Sequence, residues 1–175
     1  MPDLLAHYAA GLLVASRFVD VRRAFLLAFI GLLPDVDALF GAHRWVTHSL
    51  VLTAPLLLAA FRRRALALGV LLYALHIVMD VFTAPTPVLW PISSVAYQLR
   101  VDVEGFSDGR SIGVVPALGI VAEPADFSFG KMVEGPVISP TGAVLALLVV
   151  FILLAEGRQG ALDAFKRCRR NPGLR

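Results

Sequence analysis

Four histidines, His7, His43, His48 and His76, and three aspartates, Asp35, Asp37 and Asp80, lie among long apolar stretches in the first half of the chain. These are all the histidines of the 175-residue sequence. Imidazole and carboxylate together suit zinc or another first-row divalent metal. A carboxylate at the centre of a bilayer costs about 3 kcal/mol, so aspartates in such surroundings are expected to face a protein interior and to have a task there. His76 and Asp80 are spaced i, i+4, which places them on one helix face. The same spacing suits a carboxylate that orients a core histidine. In Pro34-Asp35-Val36-Asp37, two carboxylates stand at i, i+2 where proline interrupts regular helix. Either both turn toward one cavity, or this is a helix-ending turn capped by Asp.

The stretch Gly41-Ala42-His43-Arg44-Trp45-Val46-Thr47-His48-Ser49 concentrates the chemistry. A guanidinium beside a metal cluster would bind phosphate through paired donors; a salt bridge to Asp37 or a lipid headgroup contact is the competing use of Arg44. Trp45 reads as an interfacial anchor. Thr47 and Ser49 read as helix caps or as groups that hold His48 in one tautomer.

The elements that must position these residues follow from composition. With 58% hydrophobic and 17% charged residues and a mean hydropathy of +0.76, the chain is more apolar than soluble domains. This predicts an all-α integral membrane protein, a single membrane domain over 1–175. Apolar segments run Leu4–Phe18, Ala24–Phe40, Trp45–Phe61, Ala65–Phe82 and Gly142–Leu154, which predicts a bundle of four to five transmembrane helices. The Met1–Phe18 stretch has its arginines after the apolar run rather than before it, and reads as a retained helix. Residues 85–140, rich in proline and glycine, predict an extracytoplasmic loop or cap between the last two helices, with β-hairpin alternation in Leu99–Val103 and Ile112–Val115. A net charge of +3 gives no case for nucleic acid, and the lone Cys168 excludes an internal disulfide.

Lys and Arg accumulate in cytoplasmic loops. Arg17, Arg22 and Arg23, then Arg62, Arg63 and Arg64, then the basic tail from Arg158 through Arg170, would lie on one side of a five-span path. The N-terminus is then outside and the C-terminus cytoplasmic. Counting 1.5 Å per residue from the nearest arginines puts Asp35, His48, His76, Asp80 and His7 at ~18–24 Å, toward the outer leaflet.

The order Gly31-Leu32-Leu33-Pro34-Asp35-Val36-Asp37, then His43 to Ser49, then His76 to Asp80 with Thr83, then Leu89-Trp90-Pro91, resembles the YdjM-like membrane-bound metal-dependent hydrolases. The likeness covers about His7 to Pro91. It implies metal ligation by His7, Asp35 or Asp37, His48, His76 and Asp80, with His43 and Arg44 near the substrate. More distantly, the order of ligands is similar to the zinc-dependent phospholipase C and P1 nuclease group, whose later ligands are absent because no histidine follows His76. One or two ions fit, zinc first, with manganese or iron as alternatives.

These readings together predict a membrane-bound hydrolase of lipid-like phosphoesters, with metal-activated water as nucleophile. Whichever of Asp35 and Asp37 does not ligate would be the general base, and Arg44 would stabilise the phosphoryl charge. Expected partners are membrane lipids and a small or lipid-like phosphoester. A divalent-cation transporter or a structural metal site is the alternative; an intramembrane metalloprotease would want HExxH, which is absent.

Overall fold

The computed structural model describes residues 3–41, 44–60, 63–109, 111–128, 130 and 136–170. Helix α1 spans Leu4–Ala15. Asp3 starts it, its Oδ1 accepting from the backbone N–H of Leu5 at 2.8 Å and of Ala6 at 3.3 Å. Helix α2, Val21–Leu27, is capped by Asp20 and passes without a break into a 3₁₀ stretch, Ala28–Phe40. Runs of 3₁₀ helix longer than about four residues are uncommon. Here Pro34 lies inside the run and removes a backbone donor, and Gly41 closes it in the left-handed conformation (φ 67°). A single 3₁₀ turn, Val46–His48, leads into α3, Leu50–Ala60, which contains Pro55. Helix α4 is Arg64–Thr83 and helix α5 is Pro140–Arg170. Between them, β1 (Val95–Ser107) and β2 (Ile112–Pro124) form a two-stranded antiparallel sheet that contains both stretches expected to alternate.

The expected bundle of four to five transmembrane helices is not what forms. Among the described residues, two helical stretches are long and apolar enough to cross a membrane, Ala65–Thr83 in α4 and Pro140–Gly157 in α5. The hydrocarbon core is ~30 Å thick and needs about 20 helical residues. The 12 residues of α1 reach ~18 Å and the 11 of α3 ~17 Å. The second apolar segment is divided between a seven-residue α-helix and the proline-bearing 3₁₀ stretch. Hydropathy registered the apolar character of these segments but not their breaks.

Small residues hold the short elements together. The core joins Ala9, Leu12 and Ala15 of α1 to Ala24 and Ala28, to Leu68 and Leu72 of α4, and to Val149 of α5. A Cβ on Gly11 would lie 3.6 Å from the Ala28 carbonyl oxygen, so α1 and the chain at Ala28 approach almost backbone to backbone. Two contacts align α1 with α5. At one end Asp3 Oδ2 accepts from the N–H of Ser139 at 2.6 Å and from its hydroxyl at 2.5 Å; at the other, Arg17 Nη1 meets Glu156 Oε1 at 2.5 Å. The two helices therefore run parallel, and the start of α1 lies level with the start of α5.

The outer surface is apolar. Only 11% of the Pro140–Gly157 stretch is buried, against 39% of Ala65–Thr83, and Leu147 and Phe151 of α5 are each 70% exposed. Contiguous apolar surface on this scale marks contact with membrane or protein.

Candidate metal centre

The broken second segment and the turn after it carry the site. In the 3₁₀ stretch, Asp35 and Asp37 are both buried, and the turn Val46–His48 brings a fully buried His48 against them. Helix α4 contributes His76 and Asp80 on one face, one turn apart, both buried. One ligand atom each from Asp35, His48, His76 and Asp80 lies within 4.8 Å of the others. His48 Nε2 is 3.6 Å from Asp35 Oδ1 and 3.2 Å from Asp80 Oδ2; His76 Nε2 is 3.5 Å and 3.8 Å from the same two oxygens. Ligands at 2.0–2.1 Å from a tetrahedral ion lie ~3.3–3.4 Å apart. The four contacts approach that spacing, so the group could hold a metal ion.

The protons point the same way. Thr47 Oγ1 donates to Asp37 Oδ2 at 2.7 Å, so its oxygen is left to accept from His48 Nδ1, 3.1 Å away. Asp37 Oδ2 lies 3.2 Å from the same Nδ1 and also takes the backbone N–H of Trp45 at 2.9 Å. With its proton drawn to Nδ1, His48 turns the Nε2 lone pair toward Asp35 and Asp80, which are themselves acceptors. Only a proton or a cation reconciles three acceptors at such distances. Asp35, Asp37 and Asp80 against Arg44, with the histidines neutral, leave two negative charges, which one divalent cation would balance. His76 has no hydrogen-bond partner on either ring nitrogen among the described residues. The donor set and the unsatisfied buried atoms fit a divalent metal.

Without such an ion, burial favours neutral forms for Asp35 and His48, but their mutual contacts prevail. His48 and His76 beside Asp35 hold its carboxyl below the usual carboxylate range. The carboxylates of Asp35, Asp37 and Asp80 carry His48 up to about 10.

Around this group stand the other residues singled out by sequence. Asp37 is not in the four-atom group; it holds the opposite nitrogen of His48. His7 is also outside it, but its Nε2 is 3.3 Å from Asp80 Oδ1 and its ring lies 4.0 Å from that of His76, centroid to centroid. His7 Nδ1 faces the Asp3 carbonyl oxygen at 3.1 Å, which places its own proton there. Arg44, in the left-handed region (φ 58°), donates from Nε to Asp80 Oδ2 at 3.3 Å. That contact replaces the salt bridge to Asp37 considered for it. His43 lies outside the described residues.

Two supports were not foreseen. Tyr73 of α4 donates to the Thr47 carbonyl oxygen at 2.5 Å, and Ser49 Oγ donates to the Trp90 carbonyl oxygen, so the His48 turn is tied to α4 and to the chain after it. A tyrosine in an apolar helix was the available sign. Beside His7, a cavity of about 470 Å³ opens between α1, α4 and the start of α5, lined by Ala6, His7, Met79, Phe82 and Thr83 among others.

Comparison with protein-family models, with curated proteins and with solved structures finds no match. None of them ties the chain to the YdjM-like hydrolases or to the phospholipase C and P1 nuclease group; what the structure supports is a clustered Asp, His, His and Asp arrangement consistent with a metal site, in a chain with two long apolar helices.

Proposed function

We propose that this protein is a membrane-associated, metal-dependent hydrolase of phosphoesters with an apolar arm. The single observation that carries the reading is the convergence of Asp35, His48, His76 and Asp80 from three separate segments onto one ion-sized locus. A divalent metal there would supply Lewis acidity toward a phosphoryl oxygen and activation of water. Arg44, held by Asp80, lies at the edge of the group and would pair with the phosphoryl group's remaining charge. Asp37, engaged by the Trp45 amide, Thr47 and His48, orients His48 rather than acting as base. His7 Nε2, whose ring carries its proton on the other nitrogen, would instead be the acceptor for the proton of an attacking water, since His7 lines the cavity where substrate would sit. Orientation follows from the arginines: Arg63 and Arg64 precede the α4 span and the basic tail follows the α5 span, so the hairpin and the start of α1 lie outside.

A structural metal site is favoured by one feature, the four protein ligands, since four fill a tetrahedral zinc shell. A six-coordinate ion such as manganese would leave two positions open. The test measures bound divalent metal in purified protein and turnover of a phosphoester panel. Wild type should hold metal and hydrolyse at least one lipid-like phosphoester. His48→Ala and Asp80→Ala should lose the metal, and His7→Gln should keep it while losing most turnover. Metal held equally by wild type and both alanine variants would sink the site. A metal-loaded wild type that hydrolyses nothing and unfolds on chelation would leave the structural role instead.

A further inference from the structure

The sheet between the two long helices carries a face that the metal centre does not use. Side chains alternate across a strand, and directly opposed residues of an antiparallel pair share a face. In the observed register Leu99 opposes Ile120, Val101 opposes Leu118, Val103 opposes Pro116 and Gly105 opposes Val114. Every residue of that face from Val95 to Gly105, and its partner on β2, is uncharged. The other face holds Arg100, Asp102, Glu104 and Glu123, which are all the charged residues of both strands. The apolar face is open: Val101 is 51% exposed, Val103 65%, Leu118 77% and Ile120 73%. The base of the hairpin, at Val95, Tyr97 and Leu99, is half-buried against the rest of the chain, but from Val101 outward the face is exposed, so folding of the described residues does not account for its apolar character there.

We infer that this face rests on the bilayer that α4 and α5 cross, at the depth where headgroups meet acyl chains, with the charged face turned to water. Three observations favour lipid as the occupant. The hairpin leaves from the end of one bilayer-length helix and returns to the start of the other, so its base is fixed at a membrane boundary. Leu89 and Ile92, exposed between α4 and β1, and Trp90 beside them continue the apolar belt toward the strands, in the composition expected at an interface. The α5 surface next in the chain faces outward with Leu147 and Phe151 exposed, so hydrocarbon is already this region's neighbour. Deep insertion is excluded on physical grounds, since both outer edges of a two-stranded sheet carry unpaired backbone groups that hydrocarbon does not tolerate. Lying flat leaves those edges hydrated, as an amphipathic helix leaves its polar face. Strands of 13 residues extend ~44 Å, a long lever for holding the protein's outer part against the surface. The inference is independent of any hydrolysis.

Adjacent positions on opposite faces make the test. In a Cys168→Ser background, Leu118→Cys and Ala117→Cys are each labelled with an environment-sensitive fluorophore, and the full chain is reconstituted in phosphatidylcholine and phosphatidylglycerol vesicles. Both positions are exposed, so neither change disturbs packing. The label at 118 should be blue-shifted, and nitroxide placed shallow in the acyl chains should quench it several-fold more than the label at 117. Equal, water-like emission and quenching at both positions overturns the inference. So does protection at 118 that vanishes as protein is diluted into lipid, because that result assigns the face to a second copy of the chain.

Discussion

His48 is gripped at both ring nitrogens, and the two grips do different work. Nε2 addresses Asp35 and Asp80, while Nδ1 is met by Thr47 and Asp37, and Asp37 is itself steadied by the Trp45 amide. An outer carboxylate of this kind fixes the ring's orientation and raises its basicity; removing one costs about 10–100-fold in metal affinity. Asp37→Asn keeps the shape and removes the charge. It should therefore weaken divalent metal binding by about that factor in competition against a chromophoric chelator, with the helical circular dichroism of the protein unchanged. Unaltered affinity would show that Asp37 merely fills space. Spacing brought His76 and Asp80 to one face, because a helix forces i and i+4 together, while His48 was singled out by residue type and its apolar surroundings alone. Neither spacing nor residue type separated Asp35 from Asp37. In a 3₁₀ stretch the direction of each side chain depends on tertiary ties, here the turn that carries Thr47 and Trp45, and those ties leave no periodic trace.

At the scale of elements, short helices are held by their ends. Asp3 caps α1 with one carboxylate oxygen and holds Ser139, at the start of α5, with the other, while its backbone carbonyl orients His7. Burial opposes ionisation of Asp3, but the Ser139 hydroxyl and amide and the Ala6 and Leu5 amides together lower its pKa below the ordinary carboxylate value. A lowered pKa stabilises the fold only while the group is ionised in the native state. That contribution is complete above the unfolded-state value of ~3.9 and is lost as pH falls through the lower native value. Between about pH 5 and about pH 3, wild type in detergent should therefore lose more thermal stability than Asp3→Asn, which has no charge to lose. At neutral pH the variant should start lower by about 1–3 kcal/mol, because its amide can still cap α1 through the oxygen but presents an NH2 group that cannot accept from the Ser139 amide. Gly142→Ala tests the same clamp sterically, since its Cβ would fall 1.7 Å from Asp3 Oδ2. It should destabilise at every pH, and a variant as stable as wild type would show that the clamp is slack. An aspartate immediately before an apolar run is a recognisable helix start. Its second attachment, 136 residues away, is not visible in a linear pattern.

For the whole molecule, apolar composition pointed to a membrane, which two long apolar helices support, but overstated the number of helices long enough to cross one. Mean hydropathy counts side chains, whereas a crossing also needs a long unbroken helix; Pro34 and the 3₁₀ geometry deny it to Ala28–Phe40, and α3 has only 11 residues. The earlier equal-depth picture, which counted along five straight helices, therefore loses its basis for His7, Asp35 and His48; their convergence comes from short elements folded against α4 and α5. The arginine rule can still be applied to the two long helices. On the proposed orientation, with α4 and α5 both crossing, the residues before α4 and after α5 would share a side, and the parallel pairing of α1 with α5 would put Asp3, level with Ser139, on the other. This orientation makes the final prediction concrete. In right-side-out vesicles, Ser107→Cys at the exposed end of β1 should react with a membrane-impermeant thiol reagent, whereas Cys168, in the basic C-terminal stretch, should react only after permeabilisation. Reaction of both from outside would mean that α4 and α5 do not both cross. The reverse pattern would invert the protein and place the metal centre's His7-lined cavity at the cytoplasmic face, where a phosphoester substrate would have to come from the inner leaflet.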